Sequence, residues 1–385
     1  TKVDEAIEKA EMIFMAVNTP TKTKGEGAGM AADLSHVEAC AKNIATVAKT
    51  DKIVIEKSTL PVRTAEKIKE ILDKEGNGVH FEILSNPEFL AEGTAIQDLF
   101  KSDRVLIGGD KTEKGQKAVQ SLVDIYANWI PKEKILTTNV WSSELAKLAS
   151  NAMLAQRISS INSLSALCEK TGADINELSK AIGMDHRIGP KFLKASVGFG
   201  GSCFHKDILN LVYLCHHYGL DEVAEYWHQV IKVNDYQKNR FAQKIIDGLG
   251  GEIQGKKITI LGWAFKANTN DSRQSSAIQV SLKLLEKGSF LKIFDPMVKN
   301  NKIKIDLKEA FEKLGKDEDE LQLIFKSFEI TNSIDKAIHE TDAIGILTEW
   351  DLFKKYNWKG ISNPNIKIFD GRNIVDKSFY SIGHP

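Results

Sequence analysis

The sequence predicts an α/β protein with two doubly wound domains joined by a central helical domain that contains a long helix. Short apolar runs alternate with helical patterns in the first third, the middle third is helical, and the last third alternates again. A glycine-rich turn, Gly248-Leu249-Gly250-Gly251, precedes the last part. We therefore predict three domains, at residues 1–140, 141–250 and 251–385.

The first third contains the signals of a parallel sheet with crossover helices. Its apolar runs are bounded by polar residues, and the helical stretches between them repeat apolar positions every three or four residues. The predicted strands are Met12 to Val17, Lys52 to Glu56, Phe81 to Leu84 and Arg104 to Ile107, and the predicted helices are Asp33 to Lys49, Pro61 to Lys74 and Lys111 to Trp129.

Polar clusters follow three of these strands. In a parallel sheet, ligands bind beyond the carboxyl ends of the strands, which is where these clusters lie. Residues 17–21 follow the first strand, and Ser58 and Thr59 follow the second, either of which can cap the next helix. Glu88 and Glu92 follow the third strand at helical i,i+4 spacing. Each cluster alone is typical of a turn or a cap, but the three together favour a binding crevice.

The middle third is predicted to hold two long helices. The first, from Trp141 to Thr171, is rich in small and apolar residues and carries Lys147 and Asn151 on one face. A lone lysine in such a helix either extends to solvent or points inward at a ligand, and both readings stay open. The second helix, roughly Glu222 to Gly248, is charged and aromatic, as a domain-spanning or dimer-forming helix would be.

A glycine-rich loop, residues 196–202, delivers Cys203 to the start of a helical run. Unpaired N–H groups at a helix N-terminus favour the thiolate, which is the nucleophilic form of cysteine. Asp207 lies one helical turn further on. Cys40 and Cys168 fit the alternative role of small buried apolar residues, whereas the setting of Cys203 favours covalent catalysis.

The last third begins with a buried-strand pattern at Lys256 to Gly262, followed by a loop and a helix from Ser275 to Gly288. Three further apolar runs of strand length complete this part. They are Phe290 to Phe294, Asp342 to Leu347 and Ile366 to Phe369.

The bulk composition excludes several classes of function. Lys+Arg 52 and Asp+Glu 52 give a formal net charge of +0, so no overall field favours nucleic acid or an anionic membrane. No apolar run reaches the roughly 20 residues that cross a bilayer. The four cysteines lack zinc-ligand spacing, so we predict no metal site, reduced thiols and a cytoplasmic location.

Long blocks of this sequence resemble the UDP-glucose/GDP-mannose dehydrogenase family, and the animal-type UDP-glucose 6-dehydrogenases in particular. The resemblance covers nearly the whole chain. It is carried by VNTPTKT, EKSTLPVRTAE, SNPEFLAEGTA, SDRVLIGGD, TTNVWSSELAKLASNAMLAQRISSIN, FLKASVGFGGSCFHKD, ILGWAFKANTND and TEWDLF. It implies Rossmann-like outer domains, NAD as cofactor, and oxidation of UDP-glucose to UDP-glucuronate with two NAD⁺ in succession, for nucleotide-sugar metabolism.

The same resemblance implies catalytic roles. Cys203 would form a thiohemiacetal and then a thioester, while Lys147 and Asn151 stabilise the oxyanion. Asp207 with Thr59 would orient water and accept protons, and Glu88 would serve as base in hydrolysis. Which carboxylate removes which proton stays open at this point.

The resemblance also implies binding residues and a homo-oligomer, either a dimer through the central helical domain or a hexamer built as a trimer of dimers. NAD would contact Val17, Asn18, Thr19, Pro20, Thr21, Ser58, Thr59, Glu92 and Arg273. UDP-glucose would contact Glu88, Phe89, Leu90, Ala91, Glu92, Lys147, Asn151, Lys194, Ala195, Ser196, Val197, Gly198, Phe199, Gly200, Phe265, Lys266 and Arg372, with Arg187 reaching from a neighbouring subunit.

Three features depart from the family pattern. His205 stands where relatives carry glutamine, and Gln274 replaces an acidic residue. The G-x-G-x-x-G fingerprint of a dinucleotide site is not found, so we expect a first domain that is incomplete at its N-terminus, and a fragment that binds NAD⁺ weakly and turns over little. Two alternatives therefore stay open: a non-catalytic UDP-sugar-binding subunit, or a dehydrogenase of GDP-mannose or a UDP-N-acetylhexosamine.

Overall fold

The alternating sequence patterns fold into two separate β-sheets in a computed structural model, which describes residues 2–361, 365–375 and 379–384. The chain forms two compact units, and each unit is assembled from two segments. The first unit comprises Thr1–Ala152 and Lys206–Trp227, and the second comprises Met153–His205 and His228–Pro385. The predicted α/β class with a helical middle part is confirmed, while the three domain boundaries stay a prediction.

The first unit contains a five-stranded sheet in the order β1-β2-β3-β4-β5. Its strands are parallel except for one antiparallel bridge between β3 and β4. The strands are β1 Met12–Met15, β2 Lys52–Glu56, β3 Phe81–Ser85, β4 Val105–Gly108 and β5 Ile135–Thr138. The helices preceding and connecting them are α1 Val3–Lys9, α2 Ser35–Val47, α3 Thr64–Glu75, α4 Ala95–Phe100 and α5 Glu113–Tyr126, with a 3-10 turn at Lys132–Lys134.

Four long or connecting helices follow the first sheet. They are α6 Val140–Thr171, α7 Ile175–Gly183, α8 Ser202–His217 and α9 Asp221–Gly248. The two long helices, α6 and α9, agree with the sequence prediction to within one residue at each end.

The second unit contains a fully parallel sheet in the order β11-β10-β9-β6-β7-β8. Its strands are β6 Lys257–Leu261, β7 Phe290–Phe294, β8 Phe328–Ile330, β9 Ala343–Ile346, β10 Lys367–Asp370 and β11 Tyr380–Ser381. Its helices are α10 Ser276–Glu286, α11 Asn300–Lys313, α12 Glu318–Phe325, α13 Ile334–Ile338 and α14 Asp351–Lys354, with a 3-10 turn at Trp358–Gly360. The strand order reverses between β6 and β9, and such a switch point opens a ligand crevice at the carboxyl ends of the strands.

Each unit buries its own apolar core. In the first unit, α2 and α3 cover β1, β2 and β3, with Ile44, Ile68 and Leu72 at most 1% exposed. In the second, β6, β7 and β9 are buried on both faces, which explains why their sequences read as continuous apolar runs. Rigid cores of this kind hold the strand-end loops in place.

Candidate active site

Five of the six predicted catalytic residues belong to the first unit. Lys147 Nζ lies 3.5 Å from Glu88 Oε1, and Thr59 Oγ1 lies 3.4 Å from the same oxygen. Asn151 Nδ2 donates a hydrogen bond of 2.6 Å to Asp207 Oδ2. The charges of Lys147 and Glu88 both act on the Asp207 carboxyl. The fold therefore gathers these residues into one polar cluster.

Helix α6 explains how Lys147 and Asn151 come to face the same side. They are four residues apart, which is about one helical turn, and they are only 6% and 7% exposed. Lys147 does not extend to solvent: its Nζ pairs with Glu88 and lies 5.5 Å from the centre of the Phe89 ring. A buried ammonium held in this way can stabilise a nearby oxyanion.

Asp207 is the most deeply buried carboxylate of the cluster, with 3% exposure. Burial raises the pKa of Asp207, while Lys206, the hydrogen bond from Asn151, and Lys147 act in the opposite direction. A carboxylate whose pKa is raised toward neutrality is a better proton acceptor. Asp207 therefore has the environment of a general base.

Cys203 belongs to the second unit and lies at the second residue of α8, as the sequence predicted. Its side chain is exposed, and Ser202 Oγ lies 3.7 Å from its Sγ. N–H groups of a helix's first turn have no intrahelical acceptor and favour an anion. The exposed side chain and its place at the start of a helix both suit a nucleophile.

A cavity of about 10 Å³ in the first unit adjoins the polar cluster. It is lined by Thr19, Pro20, Thr21, Met30, Ala32, Thr59, Lys206, Asp207 and Asn210. Asn210 is 6% exposed, and its Oδ1 receives no hydrogen bond from the residues that the structure describes. Sequence analysis missed Asn210, although its position three residues after Asp207 on α8 could have indicated the shared face.

The loop after β2 corrects one sequence prediction. Neither Ser58 nor Thr59 caps a helix: Ser58 Oγ donates to Val17 O over 2.6 Å, and α3 begins only at Thr64. The residue before α3, Arg63, has a left-handed φ of 75° and provides no side-chain cap. This hydrogen bond instead connects the segment after β1 to the segment after β2, and these are the two segments predicted to contact the cofactor.

The N-terminus of α3 is instead capped by the Glu144 side chain of α6. The backbone N–H groups of Arg63 and Ala65 donate to its two oxygens over 2.7 and 2.8 Å. Glu144 lies three residues before Lys147 on the same helix. Glu144 was not among the site residues predicted from the sequence.

Glu144 forms a buried carboxyl pair with Glu56, the last residue of β2. Neither oxygen of Glu56 has a hydrogen-bond donor among the described residues. Burial, and then the charge of Glu144, raise the pKa of Glu56 well above its usual range. Burial also raises the pKa of Glu144 to about 7, despite its two backbone donors. A proton shared between the two carboxyls would give Glu56 the hydrogen-bond partner that it otherwise lacks, and this arrangement requires one.

The loop after β3 corrects a second prediction. Residues 86–91 are not helical, and the next helix, α4, begins at Ala95, so Glu88 and Glu92 do not share a helical face. The loop is held by the 1% exposed Asn86, which accepts from Lys57 Nζ and Tyr126 Oη over 3.0 and 2.7 Å. These bonds fix the backbone that presents Glu88.

The predicted substrate residues of this loop line a second cavity of about 20 Å³. Glu88, Phe89 and Leu90 are among its residues, and the Arg104 guanidinium lies 3.8 Å from the centre of the Phe89 ring. Burial lowers the pKa of Lys57 in the same cavity to about 8. The cavity is therefore rich in basic groups.

The glycine-rich loop in the second unit is fixed by buried amides. Ser196 N donates to Asn162 Oδ1, and Phe199 N donates to Asn234 Oδ1, both over 2.8 Å. Gly198 has a φ of 120°, and a Cβ there would lie 2.8 Å from Asn234 Oδ1. Glycine is therefore required at position 198 both by its conformation and by this close contact.

The remaining predicted substrate residues of the second unit lie at the switch point of its sheet. Arg372 donates to Leu347 O over 2.7 Å and to Phe265 O over 2.9 Å. Lys266 Nζ lies 5.6 Å from the Phe265 ring centre. Burial lowers the pKa of Lys194, whose ammonium also experiences Glu349, Asp370 and Arg372. The result is a basic group of side chains at strand ends.

Two predicted binding arginines are exposed and held by nearby carboxylates. Arg187 pairs with Asp185 at 2.5 Å and Arg273 with Asp271 at 2.6 Å. Each arginine is two residues from its partner, so each ion pair forms within one short stretch of chain.

Gln274 and His205, two of the three predicted departures from the family pattern, have different surroundings. Gln274 has a left-handed φ of 54°, and its carbonyl oxygen would lie 2.6 Å from a Cβ at Gly200. His205 is largely buried; burial and then Lys238 lower its pKa, while Asp235 acts in the opposite direction. His205 therefore favours the neutral imidazole.

Among residues 2–361, 365–375 and 379–384, no group of three His, Cys, Asp or Glu side chains is arranged to hold a metal ion. Within the same residues, every helix is too short or too polar to cross a bilayer.

Comparison with known proteins gives consistent matches along the chain. Three models of the UDP-glucose/GDP-mannose dehydrogenase family match: the NAD binding domain over residues 1–130, the central domain over 141–236 and the UDP binding domain over 259–377. UDP-glucose 6-dehydrogenase of Pongo abelii is 55% identical over 380 residues, covering 98% of this chain and 76% of that protein.

A plant relative and a solved structure agree with these matches. UDP-glucose 6-dehydrogenase 3 of Oryza sativa subsp. japonica is 52% identical over 401 aligned positions, covering 100% of this chain and 83% of that protein. The solved structure is a UDP-glucose dehydrogenase from the hyperthermophilic archaeon Pyrobaculum islandicum. It aligns with a TM-score of 0.82 and 31% identity, covering 99% of this chain and 80% of that one.

Proposed function

The chain belongs to the UDP-glucose/GDP-mannose dehydrogenase family, and we propose that it is an NAD-dependent UDP-glucose 6-dehydrogenase that oxidises UDP-glucose to UDP-glucuronate in two steps. The observation that carries this proposal is the buried polar cluster of Glu88, Lys147, Asn151 and Asp207, whose last member shares α8 with Cys203. An alcohol-to-acid oxidation needs a base, an oxyanion site and a nucleophile, and these residues supply all three.

The cavity beside the cluster is lined by polar groups of the kind that a nicotinamide carboxamide binds. Asn210 Oδ1 is a buried acceptor without a donor among the described residues, and the hydroxyls of Thr19 and Thr59 lie nearby. A nicotinamide carboxamide offers the matching N–H and C=O groups. Bound NAD⁺ supplies the hydride acceptor of each step. We assign its binding to Val17, Asn18, Thr19, Pro20, Thr21, Ser58, Thr59, Glu92 and Arg273.

The first oxidation removes a hydride and a proton from the C6 alcohol. Asp207 accepts the hydroxyl proton, because its burial favours the protonated form. The product is an aldehyde, which Cys203 Sγ attacks to form a C–S bond. Lys147 and Asn151 stabilise the oxyanion of the resulting thiohemiacetal.

The second oxidation converts the thiohemiacetal to a thioester, with loss of a second hydride. Thr59 and Asp207 orient a water that attacks the thioester carbonyl, and Glu88 accepts the proton from that water. The C–S bond then breaks, which releases the carboxylate and returns the Cys203 thiolate. Lys147 Nζ lies 3.5 Å from Glu88 Oε1 and so helps to hold this carboxylate in place.

The basic groups of the second unit suit the UDP moiety. Arg372 and Lys266 carry charges that complement a diphosphate, and Phe265 offers an aromatic face to a base. We propose that the UDP-sugar contacts Lys194, Ala195, Ser196, Val197, Gly198, Phe199, Gly200, Phe265, Lys266 and Arg372, and also Glu88, Phe89, Leu90, Ala91, Glu92, Lys147 and Asn151. Arg187 of a neighbouring subunit completes the proposed set.

Assembly, domain boundaries and location are part of the same proposal. The long helices expose large apolar side chains, among them Leu164 and Leu167 on α6 and Tyr236 on α9, which supports a dimer through the central helical domain. Three such dimers would form a hexamer, and light scattering would test both sizes. The domains are assigned to 1–140, 141–250 and 251–385. All four cysteines are free thiols, as the cytoplasm maintains them.

Turnover of UDP-glucose with NAD⁺, followed by NADH absorbance, tests the activity. We expect two NADH per UDP-glucuronate, and no acid from the Cys203→Ser variant. Cys40→Ser is the matched control, since Cys40 is a partly buried thiol of the other unit, and it should retain turnover. Unchanged acid formation by Cys203→Ser would refute the thioester route.

The identity of the sugar is tested by initial rates with competing substrates. UDP-glucose should be oxidised faster than GDP-mannose or a UDP-N-acetylhexosamine at equal concentration. A clear preference for either competitor would replace the substrate assignment, and UDP binding without oxidation of any sugar would indicate a non-catalytic subunit.

A further inference from the structure

Glu349 is a partly buried carboxylate in the loop that follows β9, at the switch point of the second sheet. Its Oε2 lies 3.2 Å from Arg372 Nε. That oxygen receives no hydrogen bond within the described residues, because Arg372 Nε donates to Leu347 O instead. The contact between the two side chains is therefore ionic, and it holds a guanidinium that is already oriented by backbone carbonyls.

Glu349 also faces two other segments. The backbone N–H of Ala267 and the Lys194 ammonium both favour the charged form of the carboxylate. Burial alone would raise the pKa of Glu349, but Arg372, these two groups and its own backbone N–H outweigh burial and lower it. The carboxylate is therefore ionised at neutral pH.

The three partners of Glu349 belong to three separate segments with proposed substrate residues. Lys194 begins the 194–200 loop, Ala267 follows Phe265 and Lys266, and Arg372 follows β10. One carboxylate thus contacts, or acts electrostatically on, every basic segment that we assign to UDP in this unit. This convergence distinguishes it from the surface carboxylates of the same unit.

A carboxylate in this position has two opposing effects on a diphosphate. Its charge repels the ligand, which would weaken binding. Its contacts orient the cationic side chains before the ligand arrives, which would strengthen binding because less side-chain freedom is lost on association. Arg372 is partly buried and bonded to two carbonyls, so a reorientation without Glu349 would disturb the Phe265 segment as well.

We propose that Glu349 is a positioning residue for the nucleoside diphosphate moiety, acting through Arg372, Lys194 and the 265–267 segment. The inference rests on the proposed function, since it concerns the same UDP-sugar site. It predicts that the removal of a negative charge weakens the binding of an anion, which is the opposite of what net electrostatics would give.

The test measures UDP binding by calorimetry and UDP-glucose kinetics for wild type and Glu349→Gln. The substitution preserves shape and removes the charge. We expect the Kd for UDP and the KM for UDP-glucose to rise about tenfold, as for loss of one charged interaction. The value of kcat should stay within about threefold, because Glu349 does not touch the reacting carbon.

Two further variants keep the outcome decisive. Glu309→Gln removes the same charge from an exposed position on α11 and should leave Kd and KM unchanged. Glu349→Asp keeps the charge on a shorter side chain and should bind UDP with intermediate affinity; it also replaces the first variant if that one does not fold.

The possible failures are distinguishable. If wild-type protein neither binds UDP nor oxidises UDP-glucose, the proposed function is wrong. If wild type binds UDP and Glu349→Gln binds it equally or more tightly, the positioning role is wrong. A parallel loss of kcat and thermal stability in Glu349→Gln and Glu349→Asp would also overturn it, because that pattern indicates a structural role only.

Discussion

The Glu56→Gln substitution should remove part of the pH dependence of stability by changing the buried carboxyl pair. In the wild type, Glu56 has no donor among the described residues, and its partner Glu144 accepts from the backbone of α3. The shared proton must leave as the pH rises, and two carboxylates then face each other in an apolar core. A glutamine amide would donate to Glu144 at every pH and remove this repulsion.

The sign follows from the direction of the pKa changes. Both carboxyls have a pKa that folding raises, so the folded state binds more protons than the unfolded state. Their contribution to the free energy of unfolding is therefore complete below about pH 4.5 and is lost as the pH rises through about 7. A change in the Glu144 pKa from 4.5 to about 7 corresponds to about 3 kcal/mol of unfolding free energy.

Urea unfolding followed by tryptophan fluorescence, from about pH 5 to about pH 8.5, measures this difference. Burial is the main cause of the Glu144 change, so both proteins should lose that contribution. Wild type should lose more than Glu56→Gln across the range, because only wild type must also ionise Glu56. Glu70→Gln, an exposed change on α3, is the control and should follow the wild-type curve. If wild type and Glu56→Gln lose stability in parallel, the two carboxyls do not share a proton.

Three further changes probe the site. Lys147→Met should lower kcat about a hundredfold by removing the buried ammonium, with UDP-glucose KM changed less, as steady-state kinetics would show. Asn151→Asp should replace a hydrogen-bond donor to Asp207 by a like charge, so the acid limb of the pH–rate profile should move to higher pH; an unmoved limb would contradict the base role. Gly198→Ala should destabilise the protein by about 2 kcal/mol, measured by thermal unfolding, because a Cβ would meet Asn234 Oδ1 at 2.8 Å in a left-handed backbone.

The sheet cores were predictable because buried parallel strands are nearly continuous apolar runs. The bounds of β2 and β7 match the prediction residue for residue. Strand β5 was missed because it is an edge strand whose side chains are mostly exposed, with two threonines in four residues. Its pairing partner β4 is nearly thirty residues away, so no local pattern reveals it.

The site was predictable where it follows one helix and not where distant segments meet. Spacing on α6 was enough to group Lys147 with Asn151. The expected cap at Ser58 or Thr59 was wrong because Glu144, about eighty residues later, takes the N–H groups of α3. Asn210, which interrupts an apolar run, and Glu349, which precedes Trp350, were missed because a single polar residue reads as exposed until the packing around it is known.

The interleaving of the two units limits how the protein can be divided or synthesised. The first unit needs Lys206–Trp227, which the ribosome makes only after 53 residues of the second unit, 153–205, have emerged. Ile208 and Val212 in that late segment are fully buried. An expressed fragment that stops at residue 152 would therefore lack buried residues of its own unit as well as Asp207. In a nascent chain, the first unit cannot be completed until α8 has been made.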